Sequence, residues 1–194
     1  MTILSVLLLV VCLGICLIIF CISIYFILIT CLSGFMKHSP TIPTTGQSLS
    51  VMLQKTSDYI DEQPSNKCLR IIDAGCGWGT LLIPLAQKYP QHQFIGIEYS
   101  LWPYLLAKWR IRRLKNVTLF RQDLFTYSFC DADIILYYLL PSEMKQFTLK
   151  LKQELTKTCF ICSNRFPLHK VQYIEKIDLG DKFSYIYTYK IKNC

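Results

Sequence analysis

The sequence predicts an α/β protein: a doubly wound, mostly parallel sheet with an antiparallel edge hairpin, preceded by one transmembrane helix. Three observations support this fold class. An apolar run without charges opens the chain, strand and helix patterns alternate from residue 69 onward, and three glycines follow the first strand in "DAGCGWG", Asp73 to Gly79. Alternation of strands and helices is typical of parallel sheets covered on both faces. The 194 residues are enough for one domain plus an appendage.

The N-terminal segment has the composition of a membrane span. No charged residue or histidine precedes Lys37, and Ile3 to Leu32 is almost entirely Leu, Ile, Val, Phe and Cys. About 20 apolar helical residues cross a bilayer. The segment lacks the basic start and the small-residue cleavage site of a signal peptide, so a retained span is favoured over a signal peptide or a buried core helix. All formal charges follow the span and sum to +8, which favours a cytoplasmic C-terminal domain.

The rest of the chain predicts a regular series of elements. The Pro- and Thr-rich stretch His38–Ser48 reads as a linker, and a first helix is predicted over Leu49–Ile60. The parallel strands are predicted over Leu69–Ala74, Gln93–Glu98, Val117–Phe120, Asp133–Tyr138 and Cys159–Asn164, and the helices between them over Thr80–Lys88, Leu101–Leu114 and Ser142–Leu155. Two final strands, Val171–Ile177 and Phe183–Ile191, have no helix between them and predict the edge hairpin. This order is Rossmann-like.

The glycine segment predicts a cofactor site. A strand ends in Asp73, and Gly75, Gly77 and Gly79 follow it, with Cys76 among them. Glycines permit a sharp turn and let a ligand approach the backbone. A dinucleotide site would have the spacing G-x-G-x-x-G and place a pyrophosphate there, which a carboxylate repels. A carboxylate instead attracts a cationic, amine-bearing ligand, and S-adenosylmethionine has an ammonium, a sulfonium and one ribose.

Two further acids follow the next two strands. Glu98 ends the second strand, beside Tyr99, and can accept hydrogen bonds from both ribose hydroxyls. Asp123 follows the third strand and can accept from the adenine amino group, while Leu124 supplies an apolar flank. Because ligands bind at the carboxyl ends of parallel strands, the three acids predict one adenosine-binding cleft.

Over about residues 47–164 the chain resembles the class I (seven-β-strand) S-adenosylmethionine-dependent methyltransferases. "DAGCGWG" matches their first motif, Glu98 their ribose acid and "QDL" their adenine-side acid. A closer resemblance is to membrane-tethered protein-lysine N-methyltransferases, the group that acts on ATP synthase subunit c and on the adenine nucleotide translocase. The apolar N-terminal helix carries it, together with "PTIPT", "EYSLWPYLLAKWR", "LYYLLP" and "NRFPLH".

This resemblance implies a division into a transmembrane anchor (1–36), a linker (37–47) and a methyltransferase domain (48–194). It implies a lysine of a membrane-associated protein as acceptor and membrane lipid as a partner of the helix. The expected membrane is the inner membrane if the protein is bacterial and a mitochondrial membrane if it is eukaryotic. Neither nucleic acid nor a metal is expected. S-adenosylmethionine is expected to contact Asp73, Gly75, Cys76, Gly77, Gly79, Glu98, Tyr99, Asp123 and Leu124.

The acceptor side is predicted after the fourth strand. A lysine has an unperturbed pKa of about 10.4 and must lose a proton before it attacks, and an apolar or aromatic slot helps by desolvating it. Tyr137 and Tyr138 alternate faces, so one can reach the site and Tyr138 is favoured; the alternative is that both pack in the core. Amino-group methyltransferases that act on nucleobases or glutamine often carry an Asn/Asp-Pro-Pro-aromatic run here, which this chain lacks.

Other acceptors and roles stay open. "YPQHQFIGIEYS" also resembles a stretch of tRNA guanine-N7 methyltransferases, and the net charge of +8 suits RNA. A small lipid-soluble acceptor and a non-catalytic assembly factor are further alternatives. The predicted helix Leu101–Leu114 carries an apolar stripe of Trp102, Leu105, Leu106 and Trp109. Its basic face, Lys108, Arg112 and Lys115, is interpreted as solvated, with lipid headgroups or RNA as alternatives.

The remaining cysteines and histidines predict no further site. Ten cysteines show no disulfide framework, which fits a reducing compartment. Cys159 and Cys162 have metal-ligand spacing but lie in an apolar strand, where they are expected to face opposite sides of the core. His169 is interpreted as structural or exposed, and His38 is expected at the membrane interface.

Overall fold

A computed structural model describes residues 3–35, 44, 46–180 and 184–192. The chain divides into two compact units, Met1–Pro40 and Thr41–Cys194. The first contains one helix, α1 (Ile3–Phe35). Within it, Val10–Leu28 has a mean hydropathy of 3.0 and is long and apolar enough to cross a membrane, a test that a signal sequence also passes. Lys37, His38 and most of the expected linker lie outside the described residues.

The second unit is a seven-stranded sheet with helices on both faces. Its sheet order is β3-β2-β1-β4-β5-β7-β6; β1 to β5 are mutually parallel, and β7 runs antiparallel to both β5 and β6. The predicted α/β sheet with an antiparallel edge hairpin is confirmed. The strands are β1 (Arg70–Ala74), β2 (Gln93–Glu98), β3 (Val117–Arg121), β4 (Ile134–Tyr137), β5 (Cys159–Asn164), β6 (Glu175–Asp178) and β7 (Tyr185–Ile191), and the helices are α2 (Gly46–Asp61), α3 (Leu82–Lys88), α4 (Leu101–Arg110) and α5 (Met144–Glu154).

Alternating side chains of the central strands build a core on each face of the sheet. On β1, Ile72 lies in the core that includes Phe147 of α5, and Ile71 lies in the opposite core with Met52 of α2. Parallel strands buried on both faces read as continuous apolar runs rather than as alternating patterns. The same alternation places Cys159 in the α5-side core and Cys162 in the other, both fully buried, as expected for core residues.

Most element boundaries differ from the predictions by one to four residues. β6 begins at Glu175, four residues after the expected Val171. α2 begins at Gly46, so the end of the expected linker is already helical. α4 ends at Arg110, four residues before the expected Leu114. The chain turns there because the Leu114 amide donates to the Ile111 carbonyl at 2.7 Å, and the Asn116 side chain donates to the Ala86 carbonyl at 2.9 Å. A 3-10 turn, Pro141–Glu143, precedes α5.

The apolar stripe of α4 does not face the core. Trp102 and Trp109 are 49% and 62% exposed, whereas Ala107 is fully buried. The helix therefore packs through its Ala107 face, and the side that the periodicity marks as apolar faces outward. Periodicity assumes that the apolar face of an amphipathic helix is the buried one, and that assumption is wrong for α4.

Candidate functional site

The strand order places the site where the connections from the two central strands diverge. β2 lies on one side of β1, and β4 lies on the other. Ligands of open α/β sheets bind at such a switch point, outside the carboxyl ends of the strands. Ala74 and Tyr137 are paired at the ends of β1 and β4, so the glycine loop and Tyr138 leave the sheet side by side. Glu98 ends the adjacent β2.

The glycine loop requires glycine for its backbone shape. Gly75, Gly77 and Gly79 have φ angles of 83°, 52° and 74°, a region that residues with a Cβ rarely adopt. The amides of Gly75 and Cys76 both donate to the Ile97 carbonyl at 2.9 Å, which ties the loop to β2. This turn leaves bare backbone at the carboxyl end of β1.

Glu98 connects the glycine loop to the loop after β2. Its buried carboxylate accepts hydrogen bonds from the Gly77 amide at 2.9 Å and from the Ser100 amide at 2.7 Å. A carboxylate has about four acceptor positions, so these two bonds leave capacity for a ligand. Glu98 therefore both braces the loop and remains able to bind hydroxyl groups.

Asp73 is a buried carboxyl in an environment that disfavours its charge. Desolvation, and secondarily the charge of Glu98, raise the pKa of Asp73 to about 7. Desolvation is also the main cause that raises the pKa of the Cys76 thiol, so this thiol stays protonated. A cationic ligand group beside Asp73 offsets both causes of its raised pKa. The site therefore fits the ammonium-bearing S-adenosylmethionine and gives Cys76 no role as a nucleophile.

A cleft opens between the glycine loop and the end of β4. The structure brings Asp73, Gly75, Cys76, Gly77 and Tyr138 together in it, with Gly79 in the adjoining turn. Glu98 and Asp123 do not occur among its described lining residues. Those residues are Thr44, Met52, Asp73, Gly75, Cys76, Gly77, Thr80, Leu81, Tyr137 and Tyr138.

The expected adenine-side residues lie farther along the same edge of the sheet. Asp123 is half-buried, and its Oδ1 accepts from the Phe125 amide at 2.8 Å, which shapes the turn after β3. Leu124 packs partly buried against the α5-side core. Tyr99 is 42% exposed in the loop after β2. These residues extend the cleft edge toward β3.

The two adjacent tyrosines have different environments. Tyr137 is buried, and its hydroxyl donates to the Phe166 carbonyl at 3.1 Å. Tyr138 is half-buried, lines the cleft and stacks on the Phe166 ring, with 6.3 Å between ring centroids. Phe166 follows Arg165, which has a φ of 70°. Both tyrosines therefore line the cleft, Tyr138 with its ring against Phe166 and Tyr137 as a buried support for the Phe166 loop.

Several residues at the cleft were not predicted from the sequence. Thr44 lines it and lies in "PTIPT". Phe166 stacks on Tyr138 and lies in "NRFPLH". Thr80 and Leu81 directly follow the glycines, so their place in the sequence could have predicted that they line the cleft. Met52 gave no signal, because a buried methionine of a helix looks like any core residue.

Fold, cleft and comparisons together define an S-adenosylmethionine-dependent methyltransferase of class I. A family model described as the ANTKMT methyltransferase domain matches residues 73–175, more than half of the chain. The chain belongs to this family. The match contains the glycine loop, Glu98, Asp123 and Tyr138, and it confirms the resemblance inferred from the motifs.

Curated relatives match shorter parts of the chain. A tRNA (guanine-N(7)-)-methyltransferase of Chloroherpeton thalassium is 44% identical over 54 residues, 27% of this chain and 24% of that protein. An (S)-coclaurine N-methyltransferase of Thalictrum flavum subsp. glaucum is 30% identical over 125 residues, 59% of this chain and 34% of that protein. The matched part thus spans about a quarter to a third of these relatives.

Solved structures share the fold. An RNA methyltransferase from Salinibacter ruber in complex with S-adenosyl-L-homocysteine superposes with a TM-score of 0.67 at 21% identity, over 78% of this chain and 94% of that one. A coclaurine N-methyltransferase bound to N-methylheliamine and S-adenosyl-L-homocysteine gives a TM-score of 0.50 at 23% identity, over 65% of this chain and 38% of that one. These neighbours confirm the Rossmann-like fold, and membership of the ANTKMT methyltransferase family supports S-adenosylmethionine as the cofactor.

Proposed function

We propose that this methyltransferase acts on lysine side chains of a membrane or membrane-associated protein, with α1 as its membrane anchor and the catalytic domain on the cytoplasmic side. The observation that carries the lysine acceptor is the stacked pair Tyr138 and Phe166 beside the glycine loop. It forms an aromatic wall at the end of β4. Membership of the ANTKMT family supports the same acceptor class.

The residues of three strand ends are suited to hold the cofactor. In this proposal Asp73 pairs with the ammonium of S-adenosylmethionine. Glu98 accepts hydrogen bonds from the ribose hydroxyls, and Asp123 accepts one from the adenine amino group. Tyr99 and Leu124 flank the ring system, and the glycine loop with Cys76 supplies close backbone contact. When bound, S-adenosylmethionine supplies an activated methyl group.

The acceptor wall favours the neutral form of an amine. A lysine ammonium loses hydration when it enters an apolar site, which lowers its pKa from about 10.4. Tyr138 and Phe166 offer ring faces on one side. Leu139 is buried beneath the glycine loop, where its Cδ2 lies 3.2 Å from the position that a Cβ on Gly75 would take. Tyr138 is the proposed catalytic residue, acting by desolvation and positioning rather than by proton transfer.

The anchor restricts where the enzyme works. A domain attached to a membrane helix meets membrane substrates at a raised effective concentration. The apolar segment Val10–Leu28 fits this role by length and composition. The proposed division is an anchor over 1–36, a linker over 37–47 and a methyltransferase domain over 48–194.

A labelling experiment tests the acceptor class. The full chain in detergent is incubated with host membranes and S-adenosylmethionine that carries a radioactive methyl group, and protein, RNA and lipid are then separated. We expect label in a protein band that maps to lysine. Label confined to lipid or RNA contradicts the proposal.

Matched variants identify the residues responsible. Asp73→Ala is expected to lose cofactor binding and all labelling. Tyr138→Ala is expected to keep cofactor binding and lose labelling, because Tyr138 lies on the acceptor side. Tyr173→Ala alters an exposed tyrosine before β6 and serves as the control that keeps both. Cofactor binding without label in any fraction for the unaltered chain supports a non-catalytic role instead.

RNA is the second candidate acceptor, because the tRNA methyltransferase relative is 44% identical over its matched segment. The stretch from Lys108 to Arg121 is basic and could contact phosphates. In the same experiment this alternative predicts label in the RNA fraction, with binding that weakens steeply as salt rises.

A further inference from the structure

One surface of the catalytic domain exposes large apolar side chains in a regular row. We call it the α4 surface and define it by five residues of that helix. Singly exposed apolar residues are ordinary, but a contiguous row marks an interaction site. The exposed fractions are 41% for Leu101, 49% for Trp102, 43% for Leu105, 42% for Leu106 and 62% for Trp109.

The α4 surface lies opposite the packing face of its own helix. At 100° per residue, Ala107 and Ile111 point together toward the sheet, and both are buried. Trp102, Leu105 and Trp109 point about half a turn away. The row is therefore not the packing face of α4. It faces outward along the whole helix.

Basic side chains border the α4 surface, and acidic ones are missing from this stretch of sequence. Between Glu98 and Asp123 the chain contains six Lys or Arg residues and no Asp or Glu. The Arg112 guanidinium lies 4.4 Å from the centre of the Trp109 ring. The six basic residues are Lys108, Arg110, Arg112, Arg113, Lys115 and Arg121.

This combination selects a lipid surface among the possible occupants. Helices that lie in the membrane interface present Trp and Leu on one face and Lys and Arg beside it. Anionic headgroups attract each basic residue near the surface by about 1 kcal/mol. Tryptophan rings favour the headgroup level because they combine an apolar body with one N–H donor.

We propose that the α4 surface docks on an anionic bilayer, with its tryptophans at the headgroup level and Arg112, Arg113 and Lys115 contacting lipid phosphates. This proposal rests on the proposed role of α1 as an anchor in the same membrane. Residues 36–45 join α1 to α2, and ten residues span at most about 36 Å even when extended. A linker of this length permits the domain to reach the lipid surface.

Docking would orient the catalytic cleft as well as hold the domain. Arg110 donates from its guanidinium to the Trp78 carbonyl at 2.7 Å, and Trp78 lies between Gly77 and Gly79. The helix that carries the α4 surface is therefore hydrogen-bonded directly to the glycine loop. A docked α4 brings the mouth of the cleft to the level of the headgroups, where lysines that flank membrane helices lie.

The three tryptophans of the chain provide the probe. They are Trp78, Trp102 and Trp109, and α1 contains none. The full chain with Trp78→Phe, which leaves only the two α4 tryptophans, is reconstituted in lipid nanodiscs. The discs contain phosphatidylcholine with or without phosphatidylserine, and the lipids carry bromine on their acyl chains as a fluorescence quencher.

We expect strong quenching in discs that contain phosphatidylserine and weaker quenching in phosphatidylcholine alone. Arg112→Gln/Arg113→Gln/Lys115→Gln should weaken docking about fivefold for each charge removed. The matched control, Lys145→Gln/Lys152→Gln/Lys192→Gln, removes three exposed charges elsewhere in the domain and should leave quenching unchanged. High salt should reduce the quenching in the unaltered chain.

The failure of docking and the failure of the anchor give different results. Absence of lipid quenching in a chain that resists extraction by alkaline carbonate overturns the docking alone. Extraction by carbonate overturns the anchor.

Other occupants of the α4 surface would give a different result. Tryptophans that become shielded from acrylamide only when more protein is loaded per disc indicate a second copy of the chain. Shielding that depends on added RNA indicates a nucleic-acid surface. Either shielding result overturns the lipid assignment.

Discussion

α4 and α5 have similar lengths and similar amphipathic sequences, but α5 buries its apolar face and α4 exposes its apolar face. On α5, Phe147 and Leu151 are fully buried and Met144 is 5% exposed. On α4, the apolar residues at the corresponding spacing, Trp102 and Trp109, are about half exposed or more. The comparison teaches that periodicity identifies the apolar face of a helix but not the surface that covers it.

The sheet explains the difference. α5 covers central strands, and the Phe147 ring makes edge contacts with Phe129 and Tyr137 at centroid distances of 5.7 and 5.2 Å. α4 contacts β2 and β3 instead, and β3 is an edge strand whose side chains are half-buried or exposed. Little sheet surface remains there, so the small Ala107 makes the close approach. The larger apolar residues are left outside.

The largest effect on stability is expected when an aromatic side chain of α5 is replaced by alanine, in comparison with the same replacement on α4. Phe147→Ala should reduce the free energy of unfolding by about 3–5 kcal/mol, because it removes contacts and leaves a cavity. Trp109→Ala should change it by less than about 0.5 kcal/mol. Urea unfolding of the full chain in detergent, followed by tryptophan fluorescence, measures both. Equal losses would show that α4 is covered by the domain.

A larger side chain at Ala107, where α4 packs closely against the turn at Gly79, should have the next largest effect on stability. Ala107→Leu places a larger side chain against the turn at Gly79, where a Cβ on that glycine would lie 3.8 Å from the Ala107 Cβ. Overpacking costs about 1–3 kcal/mol, and the displaced helix should also weaken cofactor binding through Arg110 and Trp78. Leu106→Ala, on the exposed side of the helix, is the control. Normal stability of Ala107→Leu would contradict the packing assigned to α4.

Cofactor affinity should depend on pH through Asp73 and not through the α4 surface. The pKa of Asp73 is raised to about 7, and a cation pairs with its ionised form. Affinity should therefore fall about tenfold per unit as the pH drops below 7. Asp73→Asn should remove this dependence and Trp109→Ala should retain it. Calorimetric titration across this range measures both variants, and an unchanged slope in Asp73→Asn would place the titrating group elsewhere.

The same raised pKa has an opposite consequence for stability. Between about pH 4 and about pH 7 the unfolded chain ionises Asp73 while the folded, ligand-free chain keeps it protonated. The contribution of this group to stability is full below about pH 4 and is lost as the pH rises through about 7. Asp73→Asn should flatten this part of the stability profile.

The smallest effect is expected from the hydroxyl behind the acceptor wall. Tyr137→Phe removes the hydrogen bond to the Phe166 carbonyl but keeps the ring that packs on Phe147. We expect a loss of about 1 kcal/mol in stability and a larger relative loss of methyl transfer, because the Phe166 ring is freed. Tyr187→Phe, elsewhere in the same core, is the comparison. Equal effects on transfer in both variants would remove Tyr137 from the positioning of the wall.

Much of the candidate site followed from the order of residues along the chain. Asp73, Glu98, Asp123 and Tyr138 each follow or end a strand of the parallel sheet, and parallel strands bring these ends to one edge. The separate tasks of Tyr137 and Tyr138 did not follow, because both lie at the end of one strand and only packing distinguishes them. Thr44 and Phe166 reach the same edge from distant segments.

The sequence by itself determined the alternation of strands and helices, the glycine turn with its neighbouring acid, and the apolar N-terminal segment. These features depend on local backbone preference, side-chain period and composition, which act over a few residues. The tertiary structure alone decided that Asp73 is buried beside Glu98, that Phe166 stacks on Tyr138, and that α4 packs through Ala107. Each of these depends on which surface another part of the chain leaves available, and no local pattern encodes that.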